Sequence, residues 1–219
     1  MTEVILIRHG ETDWNVQGRF QGQIDVPLNP FGERQAARMA ERLVHEQVDV
    51  LYCSDLLRTR QTAAPAERML RLAAAPDAAL REQHFGVLEG LSFDEVRARH
   101  PDELAAWMLH DPDYTLPDGE SVRRFHARVV GALNALAARH AGQRLAVVTH
   151  GGVLDMLYRT VHGLPLTGNR QCEIPNAGIN RLRTQGDRLE IVSWADDAKR
   201  YTPAVSVRLP RSVPVRSVV

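Results

Sequence analysis

Short apolar runs alternate along this chain with longer stretches in which apolar residues recur every three or four positions. Val4 to Ile7, Val48 to Cys53 and Leu145 to Val148 are nearly unbroken apolar runs, the pattern of strands covered on both faces. Between them, Ala36, Met39, Ala40 and Leu43 share one helical face behind Asn29-Pro30, a cap followed by a proline-tolerant first turn. Val122, Phe125, Val129, Val130, Leu133 and Leu136 predict a long helix from Ser121 to about His140, with Gly142 placed to end it. A helix opening after Ser54-Asp55 carries Arg58, Thr59, Gln61 and Thr62 near its start, and Pro65 is expected to kink or shorten it. Leu80 to Phe85 is expected to end a third strand, a helix to run from about Gly152 to Val161, and final strands to lie near Gly178 to Arg183 and Arg188 to Trp194.

Strands alternating with amphipathic helices predict an α/β fold, three-layered, with a mostly parallel central sheet flanked by helices. Residues 1–201 are expected to form a single domain. Within it, Ser92 and Glu95 have the spacing of a capping box, and about 91–119 reads as a helical lid insertion containing Trp107, Met108 and Leu109. The tail 202–219, with Pro203, Pro210 and Pro214 among valines and arginines, is expected to be extended or partly disordered.

Composition narrows the possible partners. The 219 residues carry no formal net charge, so no whole-molecule field favours nucleic acid or an anionic membrane, and attraction for anions must be local. Lys199 is the only lysine, leaving the cationic charge on planar forks that suit phosphate oxygens, although genome composition explains that bias equally well. Cys53 and Cys172 are too few for a disulfide framework and lack metal-ligand spacing. No run reaches the ~18 apolar residues of a membrane span, and a cytoplasmic location is expected, with homodimerisation left open.

The candidate chemistry sits where two of these runs stop. Arg8-His9-Gly10-Glu11-Thr12 follows the first run, and Thr149-His150-Gly151-Gly152 follows the run 145–148. The carboxyl ends of parallel strands are where α/β proteins hold ligands, and the glycines allow close approach. A lone histidine after a strand is more often an ordinary hydrogen-bonded loop residue; the paired pattern is what singles these out.

Together with Asn15, with Arg58 in Ser54-Asp55-Leu56-Leu57-Arg58-Thr59-Arg60-Gln61-Thr62-Ala63, and with Glu82 before Phe85-Gly86, these residues resemble the histidine phosphatase superfamily, which includes the cofactor-dependent phosphoglycerate mutases. The resemblance runs from Thr2 to about Tyr201 and takes in Gly86-Val87-Leu88-Glu89-Gly90 and Asp118-Gly119-Glu120-Ser121. It implies a phosphoglycerate mutase-like fold and a phosphohistidine intermediate formed on His9. It also implies a phosphate pocket from Arg8, Arg58, Asn15 and His150, and an acid/base at Glu82. Gly151, Gln21 and Gly22 are candidates for the substrate rim. The implied activity is hydrolysis of a small phosphate ester without a cofactor. His84 with His9, His150 and Glu82 could be imagined as a metal cluster, but their spacings are not those of zinc sites, and no metal is expected.

Two rivals accompany this expectation: phosphoglycerate mutase, and a phosphate-ester binding module without turnover. The second usually lacks the nucleophile or the acid, and both are present here. Against the first stand departures from the mutase pattern. Glu82-Gln83-His84-Phe85-Gly86 replaces a Glu-Arg-His-Tyr-Gly stretch, Gly90-Leu91-Ser92-Phe93 replaces Gly-Leu-Asn-Lys, and no arginine pair lies between Trp107 and Pro117.

Overall fold

A computed structural model describes residues 1–185 and 188–196 and the backbone of 205–208. Its centre is one sheet of β1 (Thr2–Arg8), β2 (Val50–Cys53), β3 (Ala74–Pro76), β4 (Arg144–Thr149), β5 (Ile179–Gln185), β6 (Arg188–Asp196) and β7 (Val205–Arg208), in the order β3-β2-β4-β1-β5-β6-β7. The β3-β2-β4-β1 half is parallel, and β5, β6 and β7 extend it antiparallel beyond β1.

The apolar runs are unbroken because helices cover both faces. Val4 and Leu6 of β1 point into a core shared with α6 (Val122–Arg139) and α7 (Gly151–His162), while Ile5 and Ile7 point into one shared with α2 (Pro30–Leu43) and α3 (Leu57–Leu70). All four are at most 2% exposed, and burial of each side chain is worth about 1.5–3 kcal/mol. The result is the expected three-layer α/β architecture.

Local signals set the helix starts. The Asn29 side chain accepts from the Gly32 N–H at 2.8 Å, Pro30 opens α2, and Ser121 accepts from the Arg124 N–H at 3.2 Å to start α6. Over one edge lie α4 (Phe93–Arg99) and α5 (Pro101–Met108), the former begun by the Ser92/Glu95 capping box. Leu88, Val96, Leu104 and Leu116 give this region a separate small core.

Two expectations change. Residues 80–85 are not a strand: β3 is Ala74–Pro76, paired with β2, followed by a short 3-10 turn over Ala78–Leu80. The segment from Ala79 to Glu82 is instead bound to α6, where Arg128 donates to the carbonyls of Ala79, Arg81 and Glu82 at 2.8–3.2 Å. Nor does Pro65 shorten α3, which continues to Leu70 because Ala63 and Ala66 on its buried face hold it against the sheet. Within the tail, Val205–Arg208 pairs with β6 as the edge strand, and the rest of 202–219 lies outside the described residues.

Candidate active site

The site begins with strand register. Parallel pairing places Arg8 opposite Thr149, so the next residues on β1 and β4, His9 and His150, emerge side by side. Their rings stand 5.4 Å apart at 61°. The His9 N–H donates to the Thr149 carbonyl at 2.9 Å, and the Ala177 N–H donates to the Arg8 carbonyl at 2.9 Å, fastening the strand end from both neighbours.

The loop behind His9 is packed on bare backbone. A Cβ on Gly10 would fall 2.6 Å from the Gly32 carbonyl oxygen, and one on Gly32 would fall 2.1 Å from that of Glu11. Gly32 at the head of α2 is thus as necessary to the loop as Gly10, although nothing in its own surroundings along the sequence marks it. The Gly10 N–H donates to the Thr62 hydroxyl at 2.9 Å. Thr12 and Asn15 form a reciprocal capping box on α1 (Asp13–Val16), and Asn176 donates to the His9 carbonyl at 2.9 Å and to the Asn15 side-chain oxygen at 3.4 Å.

His9 Nδ1 lies 2.7 Å from the Gly10 carbonyl oxygen. A carbonyl only accepts, so Nδ1 carries the proton and Nε2 keeps its lone pair. Burial first, then the Arg58 and Arg8 charges, hold His9 well below the ordinary imidazole value, and burial, Arg58 and His9 do the same to His150. Both rings are neutral at pH 7. Neither ring nitrogen of His150 has a hydrogen-bond partner among the described residues.

Two guanidinium groups converge on this pair. Arg58, in the first turn of α3, is wholly buried and donates to the carbonyls of Gly22 (2.7 Å) and Ile24 (2.9 Å), leaving Nε without a partner among the described residues. Burial pushes it down to about 10, still cationic at neutral pH. Asp25 on the same loop accepts from the Leu57 N–H at 2.7 Å, capping a helix whose own N-cap residue, Leu56, makes no side-chain cap. Arg8 donates to the Ile174 carbonyl at 2.7 Å and also leaves Nε unpartnered. Buried polar atoms are normally satisfied; here, among the described residues, Arg8 and His150 at two strand ends and Arg58 in the first turn of α3 each keep an unpartnered buried nitrogen, and both arginine charges act on the two histidines.

Glu82 reaches the site from the segment that Arg128 holds. Its carboxylate accepts from the N–H groups of Gly152 and Gln83, each at 2.9 Å, and so rests on the N-terminus of α7. A Cβ on Gly152 would fall 2.1 Å from Glu82 Oε1, so that second glycine is what admits the carboxylate. The Glu120 side chain pairs with Arg128 and accepts from the His84 N–H at 3.0 Å, fixing the segment further.

The remaining expected residues divide. Gly151 lies under Arg8, 3.5 Å from Nε to the position its Cβ would take. Gln21 and Gly22 sit on the loop fastened by Arg58, a step removed from the histidines. Gly22 has φ +49°, and a Cβ there would overlap Glu89 Oε1. His84 lies apart, 3.9 Å from Glu89, and among the described residues no three His, Cys, Asp or Glu side chains gather as a metal site would require.

Sequence reasoning missed Arg128, Asn176, Gly32 and Arg170. Arg170 shares the space over Gly151 with Arg8, its Nη2 3.6 Å from the same point. All four act across long sequence separations, and no local spacing marks them.

An α/β protein with paired buried histidines between arginines at adjacent strand ends is built to handle a phosphoryl group. The model of the histidine phosphatase superfamily (branch 1) matches residues 4–197, and the chain belongs to that superfamily. It is 37% identical over 201 residues to a metal-independent phosphoserine phosphatase of Arabidopsis thaliana, covering 90% of this chain and 82% of the relative. It is equally 37% identical over 198 residues to phosphoglycerate mutase-like protein 4 of the same plant, covering 89% and 85%. Among solved structures, mycobacterial glucosyl-3-phosphoglycerate phosphatase in complex with VO3 superposes with a TM-score of 0.77 at 30% identity, over 88% of this chain and 98% of that one. No helix among the described residues is long and apolar enough to cross a membrane.

Proposed function

We propose that this enzyme is a metal-independent phosphomonoester hydrolase that works through a phosphohistidine on His9, in the cytoplasm, on a small phosphorylated metabolite. The observation that carries the proposal is His9 itself: a neutral imidazole whose Nδ1–H is committed to the Gly10 carbonyl, set between two arginines.

The Nε2 lone pair attacks phosphorus as the bond to the alcohol oxygen breaks, and Glu82 in its protonated form gives that oxygen its proton. Arg8, Arg58 and His150 surround the equatorial oxygens on which charge accumulates, with Asn15 and Gly151 at the margin. Water then attacks the phosphohistidine, Glu82 takes its proton, the P–N bond breaks and phosphate departs. The sum is ester plus water giving alcohol plus phosphate.

Hydrolysis is favoured over mutase action by where the departures from the mutase pattern lie. Gln83, Phe85 and Phe93 all line the cavity beside Glu82, where a mutase needs polar contacts to retain a sugar-acid carboxylate. An intermediate that is not retained leaves the phosphoenzyme to water.

Rapid acid-free quenching of the enzyme with a labelled phosphate ester tests the proposal. An acid-labile phosphoenzyme is expected in the wild type and none in folded His9→Ala, with turnover lost and EDTA dialysis without effect. Normal turnover by His9→Ala overturns the covalent route. Interconversion of 3-phosphoglycerate primed by 2,3-bisphosphoglycerate, if far faster than hydrolysis of any ester, overturns the hydrolase assignment.

A further inference from the structure

Beside Glu82 a cavity of about 490 Å³ runs from Gly152 to the loop 166–170. Gly152 links the cavity to the acid, since its N–H holds the Glu82 carboxylate and the residue lines the cavity. Its walls are aromatic: Phe20, Phe85, Phe93, Trp107, Tyr114 and Phe125. The chain has only five phenylalanines, so four of them are gathered here. Phe20 stands edge-on to Phe85 and to Trp107, with centroids 5.4 and 5.7 Å apart, a packing that keeps the walls ordered.

Of the polar groups on the same walls Arg159 is fully committed, whereas Asp155 Oδ1 is buried without a hydrogen-bond partner among the described residues. Arg159, 2% exposed, donates to Asp155 at 2.8 Å and to the carbonyls of Pro165, Thr167, Gly168 and Asn169 at 2.6–3.0 Å. It straps the 165–169 loop to α7. Thr167 in turn donates to the His110 carbonyl at 2.7 Å, joining that loop to the end of the 91–119 insertion. The cavity is thus assembled from several segments far apart in the sequence. Arg170, at the junction with Arg8, is a half-exposed cation whose Asp155 partner is 3.9 Å away.

Resting on the hydrolase reading above, we infer that this cavity takes the leaving alcohol, and that the preferred substrates are phosphate monoesters of bulky, apolar or aromatic alcohols rather than of small polar ones. A serine-sized alcohol would leave most of a 490 Å³ compartment unfilled, whereas pockets of about 300–1,000 Å³ suit ligands with an extended apolar body. Arg170 sits where the phosphate enters the apolar compartment and marks the boundary between the two.

The test compares kcat/KM for 2-(1-naphthyl)ethyl phosphate, ethyl phosphate and O-phospho-L-serine. All three release primary alkoxides, so differences report the cavity more than intrinsic reactivity. A preference of about 100-fold or more for the naphthyl ester over ethyl phosphate is expected, since even one methylene in an apolar pocket is worth about 10- to 200-fold. Phe93→Ala is expected to cut that ratio by about tenfold; Phe93 is already 38% exposed at the head of α4, so the variant should fold. A naphthyl-to-ethyl ratio near one, or phosphoserine as the best of the three, overturns the inference. If that happens while all esters still label His9, the hydrolase reading stands without it. If no ester labels His9, both fall together.

Discussion

The strand-end histidines and arginines and the aromatic cavity beside them, the phosphate end and the alcohol end of the proposed function, are built by different means. At the phosphate end, His9 and His150 are placed by the register of two adjacent parallel strands, and most of the bonds that hold the end run to backbone groups of Gly10, Thr149, Ile174, Gly22 and Ile24, with the side chains of Asn176 and Thr62 adding to them. At the alcohol end, the walls come from the 14–20 loop region, the 91–119 insertion, α6 and the 165–170 loop, held by side chains such as Arg159 and Arg128. A site end fixed by sheet register tolerates little change without losing the fold. One assembled from inserted segments can be relined while the chemistry stays in place. Relatives named for phosphoserine and for glucosyl-3-phosphoglycerate differ in the alcohol they release, as this division leads one to expect.

The two ends meet at Glu82, and the largest effects should come from separating them there. Glu82→Gln is expected to slow alkyl phosphates by about 10²- to 10⁴-fold, the range for losing a positioned general acid, with aryl esters suffering less in their first step. Equal losses for alkyl and aryl esters in pre-steady-state phosphorylation would remove Glu82 from that role. Gly152→Ala should approach the same alkyl-ester defect, because its Cβ would occupy a point 2.1 Å from Glu82 Oε1. Vanadate should still bind to it, since the arginines and histidines are untouched; loss of vanadate affinity would mean that the two ends are not separable.

A smaller effect follows from the buried histidines. His9 and His150 are held neutral, well below the ordinary 6.5, whereas in the unfolded chain they take up protons below that pH. The unfolded state then binds more protons, so stability is constant above about pH 6.5 and falls as the pH drops below it, by up to about 1.4 kcal/mol per pH unit for each histidine. Denaturant midpoints from pH 7.5 to 5 should show this slope, to which His126 and His162, also lowered by burial, add, and His150→Gln should reduce it. An unchanged slope would place the acid sensitivity elsewhere.

The smallest effect belongs to the alcohol end alone. Ser92→Ala removes the capping box of α4 and should cost about 1 kcal/mol in unfolding experiments while changing kcat on ethyl phosphate by less than about twofold. A large loss of kcat would show that the insertion reaches further into the chemistry than its contacts indicate.

Much of the phosphate end was legible because its signals are local. An unbroken apolar run ending in Arg8-His9-Gly10, a second ending in His150-Gly151-Gly152, and an arginine in a helix's first turn each fall within a few residues, and backbone geometry delivers them to one sheet edge. The capping boxes and helix faces were legible for the same reason. What failed was the stretch around Leu80 to Phe85, read as a strand although its partner is not a neighbouring strand but the Arg128 guanidinium, 46 residues from Glu82.

The sequence by itself determined the α/β layering, the helix caps and the residue types at the strand ends, since periodicity, capping and strand termination act over a few residues. Only the tertiary structure decided that β1 and β4 are neighbours, that Gly32 and Gly152 must be bare, that Arg128 carries Glu82 to the site, and that four phenylalanines enclose one cavity. Those outcomes depend on which distant segments pack together, and packing is a property of the whole core, with no trace in the spacing of any one segment.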